Sequence, residues 1–477
     1  MIPPPNLTTL SSSEKDTLIG VLMARLDALE ARVAALEAEN ATLKAENAAL
    51  REKLNLPPKT PDNSSKPPSQ EMKANGETQA KPKKGKAHKG AHRPLHPKPT
   101  TRRDVLADHC SHCHADVAGV AQAAVHAYDH VEIPEIMPDV TRVTLFGGTC
   151  PCCAKRFKAV APAGLEPGSP FGPNLRAFVL YLRFGQAIPF ERLERLMLDL
   201  FGLEISEGAL ANLLHDSAPA FASQMSRIKA RLLAGTALES DETSARVGKR
   251  TFWTWVFHHG DSACFVIRPS RGKKVVEEFL GDARPDFWVS DRLGAQMGWA
   301  TRDHQVCLAH LLRDIQYAID CGDVALAPAF MALLKRAVRI GRRRPDLADA
   351  TLAAYHSRLQ ARLDDLLKIV PVVTAGLKLQ RIIKRFRQNL FVFVTNRAIP
   401  ATNNGSEQAL RPCVVFRKVT NCFRSEWGAD LYANVRSVLE TARRRGIGIL
   451  RAIRITLEGA PLPAAAMPMT AAGGVLH

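Results

Sequence analysis

The sequence predicts a multidomain α+β protein, and three observations carry that expectation. The chain has 477 residues, two to four times the usual size of one domain. A leucine heptad is sustained near its start. In its central part, β-rich runs alternate with short helical ones, which is the pattern of a mixed α/β layer.

Composition narrows the partners. Lys and Arg number 65 against 47 Asp and Glu, a formal charge of +18 with pI near 9.7, so a polyanion is expected and nucleic acid leads. The start, Met1-Ile2-Pro3-Pro4-Pro5, lacks the basic region and apolar run of a secretory signal, which disfavours export. The uncharged tract from Gly459 onward is broken by Pro and Gly, so no membrane helix and no membrane partner are expected. Ten cysteines in a large chain of this kind argue for reduced thiols or metal ligands in the cytoplasm rather than disulfides.

Residues 17–56 read as a coiled coil. Leu22, Leu29, Leu36, Leu43 and Leu50 recur every seven residues, with Ile19, Leu26, Val33, Asn40, Asn47 and Leu54 as the companion seam. Five helical heptads extend roughly 50 Å. Asn at two a positions favours a parallel dimer in register, so a homodimer or higher homo-oligomer is expected. Residues 57–103 then turn to Pro, Ser, Asn and Lys, the composition of a disordered linker. Between Lys81 and Arg103 lie nine basic residues and no acid, which either track phosphates or merely solubilise.

Residues 104–158 read as a zinc-binding module. Cys110-Ser111-His112-Cys113 and Cys150-Pro151-Cys152-Cys153 supply Cys110, Cys113, Cys150 and Cys153 as four thiolates for a structural Zn²⁺,. Cys152, His109, His112 and His114 are substitute ligands. Residues 170–234 are helical by periodicity, with a break at Gly185 to Pro189 and a fresh start at Ser206-Glu207-Gly208, where Ser206 is a plausible cap. That layout fits a DNA-reading helix-turn-helix and ordinary helix packing equally well.

From Thr236 the pattern changes to strands at Ala237 to Asp241, Phe252 to Phe257 and Cys264 to Ile267, then Phe287-Trp288-Val289-Ser290,. Asp241 and Asp291 fall at the ends of predicted strands, where a sheet presents polar groups to ligands. Phosphoryl transfer on DNA uses hard cations roughly 4 Å apart, and carboxylates suit Mg²⁺. The third candidate is Glu407, in Thr402-Asn403-Asn404-Gly405-Ser406-Glu407. Its local explanation is that of a capping-box acid for a helix capped by Asn404.

Taken together, the leading coiled coil, the Asn63-Ser64-Ser65-Lys66-Pro67-Pro68-Ser69 segment, the cysteine knuckles, Asp241-Glu242-Thr243, Ser290-Asp291 and Thr402 through Glu407 resemble the insertion sequence sixty-six family of DDE transposases. The resemblance spans nearly the whole chain. It implies an RNase H-like catalytic fold over 235–440, an acidic triad at Asp241, Asp291 and Glu407, Mg²⁺ (or Mn²⁺) dependence, and double-stranded DNA, as element ends and target, for substrate. A bacterial, cytoplasmic, nucleoid-associated enzyme follows, with helper proteins of the same element as candidate partners. The sequence departs from the family in lacking an aromatic after Asp291, where it reads Arg292-Leu293-Gly294-Ala295.

Glu407 lies 116 positions after Asp291, which leaves room for a helical insertion at about 324–390, whose basic clusters at Arg342-Arg343-Arg344 and Arg381 to Arg387 fit phosphates of DNA and solvated helix faces equally well. Cys307 and His310 resemble the C-x-x-H element of several transposase families; two ligands cannot close a zinc site, so they read as active-site support or as a buried core pair. Arg411, one turn after Glu407, can orient that acid or contact phosphate. Residues 441–477 are a helix and tail. Two other functions fit the same features: a zinc-containing DNA-binding regulator, and an RNase H-like nuclease that cuts without joining.

Overall fold

The computed structural model describes residues 11–54, 56–64, 93–168 and 170–465, with backbone alone for 48–54. Most of the basic stretch at 81–103 and the remainder of the Asn63 to Ser69 motif beyond Ser64 lie outside the described residues. The chain divides into two compact units, one of residues 1–71, 221–448 and 461–477, the other of 72–220 and 449–460.

The first unit opens with α1 (Ser12–Leu54). Ser11 and Glu14 start it with a reciprocal cap: the Ser11 amide and hydroxyl both donate to Glu14 at 2.8 Å, satisfying helix-end donors. The helix therefore begins earlier than the heptads alone indicate. Its heptad side chains up to Asn47 are exposed, Leu22 by 55% and Leu36 by 56%, so this part of the apolar seam is unburied in the single chain. Residues 56–64, read from composition as linker, fold onto the same unit. Asn63, only 5% exposed, accepts from Thr60 N at 2.7 Å and donates to Asp320 Oδ2 at 2.9 Å.

In the second unit, β1 (Gly147–Thr149) and β2 (Arg156–Lys158) form an antiparallel hairpin around the second cysteine knuckle. Helix α2 (Pro173–Leu180) runs into a single π turn at Tyr181–Gly185. Arg183 closes the following break by donating to Ile188 O at 2.9 Å. Helix α3 (Phe190–Phe201) stops at Gly202, whose φ of +61° is a left-handed cap,. Helix α4 (Glu207–Leu233), whose residues from Phe221 on belong to the first unit, starts at Ser206, whose hydroxyl accepts from Ala209 N at 3.3 Å, as its sequence suggested.

The remaining strands make one mixed sheet in the first unit. β3 (Ala237–Val247), β4 (Arg250–His259) and β5 (Ser262–Arg268) are antiparallel neighbours. On the other side of β3, β6 (Phe287–Ser290) and β7 (Asp303–Val306) are parallel, giving the order β5-β4-β3-β6-β7. The aromatic side chains Trp255, Phe257 and Trp288 are fully buried. Phe257 stacks at 3.9 Å on Phe279 of α5 (Lys273–Leu280), which covers that face.

Parallel strands need crossovers and buried surfaces, and the helices supply them. Helix α6 (Leu308–Asp320) follows β7 directly. A helical insertion of α7 (Leu326–Arg342), α8 (Asp349–Leu366), α9 (Thr374–Arg385) and the short α10 (Val392–Thr395) packs Phe330, Leu334, Leu352, Leu363, Ile383 and Phe393 into a core shared with Val289, Val306 and Leu311. Helix α11 (Asn404–Thr420) covers the second face of the sheet, and α12 (Glu426–Arg444) lies along β5. There Ser437 and Thr441 hydroxyls accept from Phe265 N at 2.8 Å and Ala263 N at 3.1 Å, which caps an edge that would otherwise present unpaired backbone groups. Helix α13 (Ile449–Leu457) belongs to the second unit. No helix among the described residues is long and apolar enough to cross a membrane.

Candidate active site

The sheet register brings the first two acids together. β3 and β6 pair in parallel with Glu239 opposite Val289, so two residues further along Asp241 faces the position of Asp291. Asp291 immediately follows β6, as expected. Asp241 instead lies in the middle of β3, which continues to Val247. It is the partner strand that ends there, so the presentation edge is set by β6 rather than by the end of β3.

Asp241, Glu242 and Asp291 offer carboxylate oxygens that all lie within 4.8 Å of one another. In the sequence Glu242, like Glu239, is an acid with which Asp241 is easily confused, and the triad implied by the resemblance leaves it out. Its side chain, 1% exposed, is held by Arg271, whose Nε donates at 2.8 Å, and by Gln296. Arg271 in turn lies over the Trp253 ring at 4.7 Å. Ser240, two residues before Glu242 and on the same face, donates to Gln296 and accepts from the Trp288 indole at 2.8 Å.

Burial, followed by the charges of Glu242, Asp291 and Glu407, holds the Asp241 carboxyl well above the usual carboxylate range. Burial and Asp291 also raise Glu242, opposed by Arg271 and Gln296. Crowded acids that resist joint ionisation are the environment that a divalent cation relieves. The donors are hard oxygens, which fits Mg²⁺ or Mn²⁺ better than a soft metal. Asp291 is oriented by Leu293 N, which donates to its Oδ1 at 2.8 Å. The next residue, Arg292, in the segment that lacks the family's nearby aromatic, pairs with Asp314 of α6.

Glu407 sits in the first turn of α11. The capping-box explanation fails: Asn403 holds the N-cap position without a side-chain capping bond, while the Glu407 carboxylate turns to His310, with Oε1 3.7 Å from Nε2. Burial lowers the His310 pKa against the pull of Glu407. Glu407 lies outside the 4.8 Å group, although its charge acts on Asp241. Arg411 is exposed, and no hydrogen bond or ion pair among the described residues joins it to Glu407.

The loop entering α11 is fixed by a buried clasp. Asn403 N donates to Cys307 Sγ at 3.1 Å and Asn403 Nδ2 to Ser240 O at 2.8 Å. Ser406 donates to Asn403 Oδ1 at 2.6 Å and meets His258 Nε2 at 2.8 Å. Asn403, Ser406 and Ser240 are completely buried. Thus Cys307 grips the loop and His310, a turn later on α6, faces Glu407. No sequence signal pointed to His258, since a strand residue far along the chain carries no local pattern that points to a helix start.

The cysteine knuckles form as two copies of one turn. Cys110 N donates to Ala115 O at 2.8 Å and Cys150 N to Lys155 O at 2.9 Å, with His114 and Ala154 in left-handed backbone at φ of +60° and +55°. Backbone amides of Cys113 and His112 lower the Cys110 thiol pKa, and those of Cys153 and Cys152 do the same for Cys150. The acidic trio is, however, the one group of three or more potential ligands gathered among the described residues. The structure does not bring the two knuckles together.

Fold and site define an α/β protein with an acidic centre at the point where its parallel strands end. The family model for the Transposase IS66 family matches residues 168–431, more than half of the chain, and the chain belongs to that family. It is therefore a transposase, a DNA-modifying enzyme, as the resemblance implied. The match contains Asp241, Asp291 and Glu407 and leaves out α1 and the knuckles. A search of curated proteins gives no match.

Proposed function

We propose that the protein is a DDE-type transposase, a polynucleotidyl transferase that cleaves the ends of an insertion sequence and joins them to target DNA. The observation that carries this reading is the convergence of Asp241, Glu242 and Asp291 within 4.8 Å, with Glu407 close enough to act on Asp241. The mixed sheet with helices on both faces supports an RNase H-like core over 235–440, into which the helices at about 324–390 are inserted.

Asp241, Asp291 and Glu407 would hold Mg²⁺ or Mn²⁺, with Glu242 beside them. When bound, the metal would neutralise charge at the scissile phosphate and supply an activated oxygen nucleophile. The chain's own residues do the positioning. Arg271 and Gln296 fix Glu242. His310 faces Glu407, its Nε2 3.7 Å from Oε1. The Asn403 clasp sets the start of α11 against β3, so the charge of Glu407 acts on Asp241. Exposed Arg411 is free to meet phosphate. Water attack releases a 3′-hydroxyl, which then attacks target DNA in line, with no covalent enzyme intermediate.

The exposed heptads of α1 support pairing as a parallel dimer through 17–56, since an unburied seam of this length is stabilised by a second copy. The N–H-to-sulfur bonds at each knuckle favour thiolates and suit each as half of a structural Zn²⁺ site; one ion on Cys110, Cys113, Cys150 and Cys153 requires the two knuckles, apart in this structure, to close on each other. Residues 57–103 would serve as a basic linker beyond the docked Asn63, 170–234 as a DNA-binding helical region, and 441–477 as a terminal helix and tail. Such an enzyme works on bacterial DNA, in the cytoplasm at the nucleoid, with or without helper proteins.

The test is Asp291→Asn, assayed for DNA binding by gel shift and for cleavage and joining in Mg²⁺. Asn keeps the size of Asp but removes the charge that holds a cation, so the variant should bind DNA and neither cut nor join it. A folded variant that joins DNA at the parental rate would overturn the assignment.

A further inference from the structure

The basic clusters of the insertion take different roles in the structure. Arg344 turns inward. Its guanidinium donates to Gly341 O at 3.1 Å, Asn396 O at 2.6 Å and Ile399 O at 2.8 Å, and also to Phe393 O. Arg387 is committed to Asp364 at 2.6 Å, and the groove of about 500 Å³ between them contains that acid. Neither cluster leaves those arginines open to an outside anion.

A second groove differs in kind. It has a volume of about 440 Å³ and is lined by Arg336, Arg339, Ile340 and Arg343 from α7 and its end, with Leu347 and Tyr355 opposite. No carboxylate is in its lining, and none of the three arginines, all exposed, takes part in an ion pair among the described residues. Like charges on successive turns of one helix repel, so folding alone gains nothing from placing them together. An anion in the groove would relieve the repulsion.

Building on the transposase reading, we propose that this groove binds the sugar-phosphate backbone of one strand of DNA. From Arg336 to Arg343 the helix rises by seven residues, about 10 Å at 1.5 Å each. Phosphates of one strand recur every ~3.4 Å along the duplex axis, and because the strand winds about that axis they lie farther apart along the strand itself, so this span meets two or at most three successive phosphates. A single phosphate cannot meet guanidinium groups spread over that length, whereas a strand presents successive anions at the required interval. The apolar floor of Ile340 and Leu347, with the Tyr355 ring, suits the faces of sugars between phosphates. The groove is also held in fixed relation to the acidic centre. Arg344, next in sequence, is bonded to carbonyls at 393, 396 and 399, just before the loop that carries Asn403 and Glu407.

The experiment measures binding of the full chain to a duplex of unrelated sequence, as log affinity against log salt concentration. Each phosphate contact contributes about 0.9 to the slope. Replacing Arg336, Arg339 and Arg343 together with Ala should reduce the slope by roughly 2 to 3, while a control lacking Lys335, Arg358 and Arg362, outside the groove lining, should keep the parental slope. If the triple variant does not fold by circular dichroism, Arg339→Ala alone should lower the slope by about 0.9. A parental slope in the groove variant, or an equal loss in the control, would overturn the proposal. Cleavage and joining by the parent are read separately. A parent that joins DNA with a groove that leaves the slope unchanged defeats only the groove, and a parent that binds through the groove but never joins defeats only the transposase reading.

Discussion

Replacing Asp241 with Asn should stabilise the metal-free protein while removing its response to Mg²⁺. Asp241 is buried against Glu242 and Asp291, whose oxygens come within 4.8 Å. At an effective dielectric of ~20, two unit charges at that separation repel by roughly 3.5 kcal/mol. Spreading of each charge over two oxygens, the partial compensation of Glu242 by Arg271, and partial protonation together leave about 1–2 kcal/mol to be gained. For a unit of this size that corresponds to an increase in melting temperature of roughly 1–4 °C.

The pH dependence has a definite sign. The folded Asp241 pKa is raised, so the native state holds more protons than the unfolded state, and stability falls as pH climbs above the unfolded carboxylate value of about 3.9 toward the raised folded value. Metal-free parent should therefore melt lower at pH 8 than at pH 5.5 by more than the Asn variant does. Saturating Mg²⁺ reverses the ranking. At a hundredfold excess over the dissociation constant, a bound ligand adds about 2.7 kcal/mol to the parent, and the variant should gain far less. Differential scanning calorimetry with chelator and with Mg²⁺ at both pH values measures all four quantities. An Asn variant that is less stable without metal and equally shifted by Mg²⁺ would refute the reasoning.

Two further outcomes follow from the same geometry. His258→Phe keeps the ring and loses the bond to Ser406, so single-turnover cleavage should slow by roughly ten- to a hundredfold, as expected for a small displacement of a reacting group; His258→Gln should recover much of the rate, and DNA affinity measured by gel shift should hold in both. Cys113→Ser should cost the purified protein its zinc and leave residues 104–158 open to limited proteolysis, because much of the folding energy of such a module is metal-binding energy; stoichiometric zinc surviving the loss of both knuckles would show that the metal lies elsewhere.

The parts of this structure legible from sequence are those with local causes. The break at Gly185, the Ser206 start of α4, the buried strand Phe287 to Ser290 and the helical insertion each carry their own signals of periodicity, capping or turn chemistry. The site was legible only in its membership. Asp241 and Asp291 were found as strand acids, but their meeting depends on parallel register between segments fifty residues apart, which no local pattern encodes. Glu242 was left out of the implied triad, yet a residue pointing to the other face can still reach the group when its carboxylate is drawn over by Gln296 and Arg271. Asn63 was concealed by composition: a polar, Pro-rich stretch reads as linker even where one carboxamide is buried and finds a partner in Asp320.

The clasp at Asn403 explains how a long insertion can be tolerated between Asp291 and Glu407. Asp241 and Asp291 are tied by strand pairing, and that tie is indifferent to the length of chain after β7. Glu407 is placed by bonds that reach back to elements laid down before the insertion, to Ser240 on β3, to His258 on β4 and to Cys307 at the head of α6. The path between α6 and α11 therefore has only to return the chain to that clasp, and loop-closure entropy rises slowly with length. The insertion meets this requirement actively, because Arg344 locks α7 to the carbonyls of the returning segment. Whatever α7 binds in its open groove is then held at a constant position relative to the acids, whereas a flexible insertion would have to order itself anew each time DNA arrived.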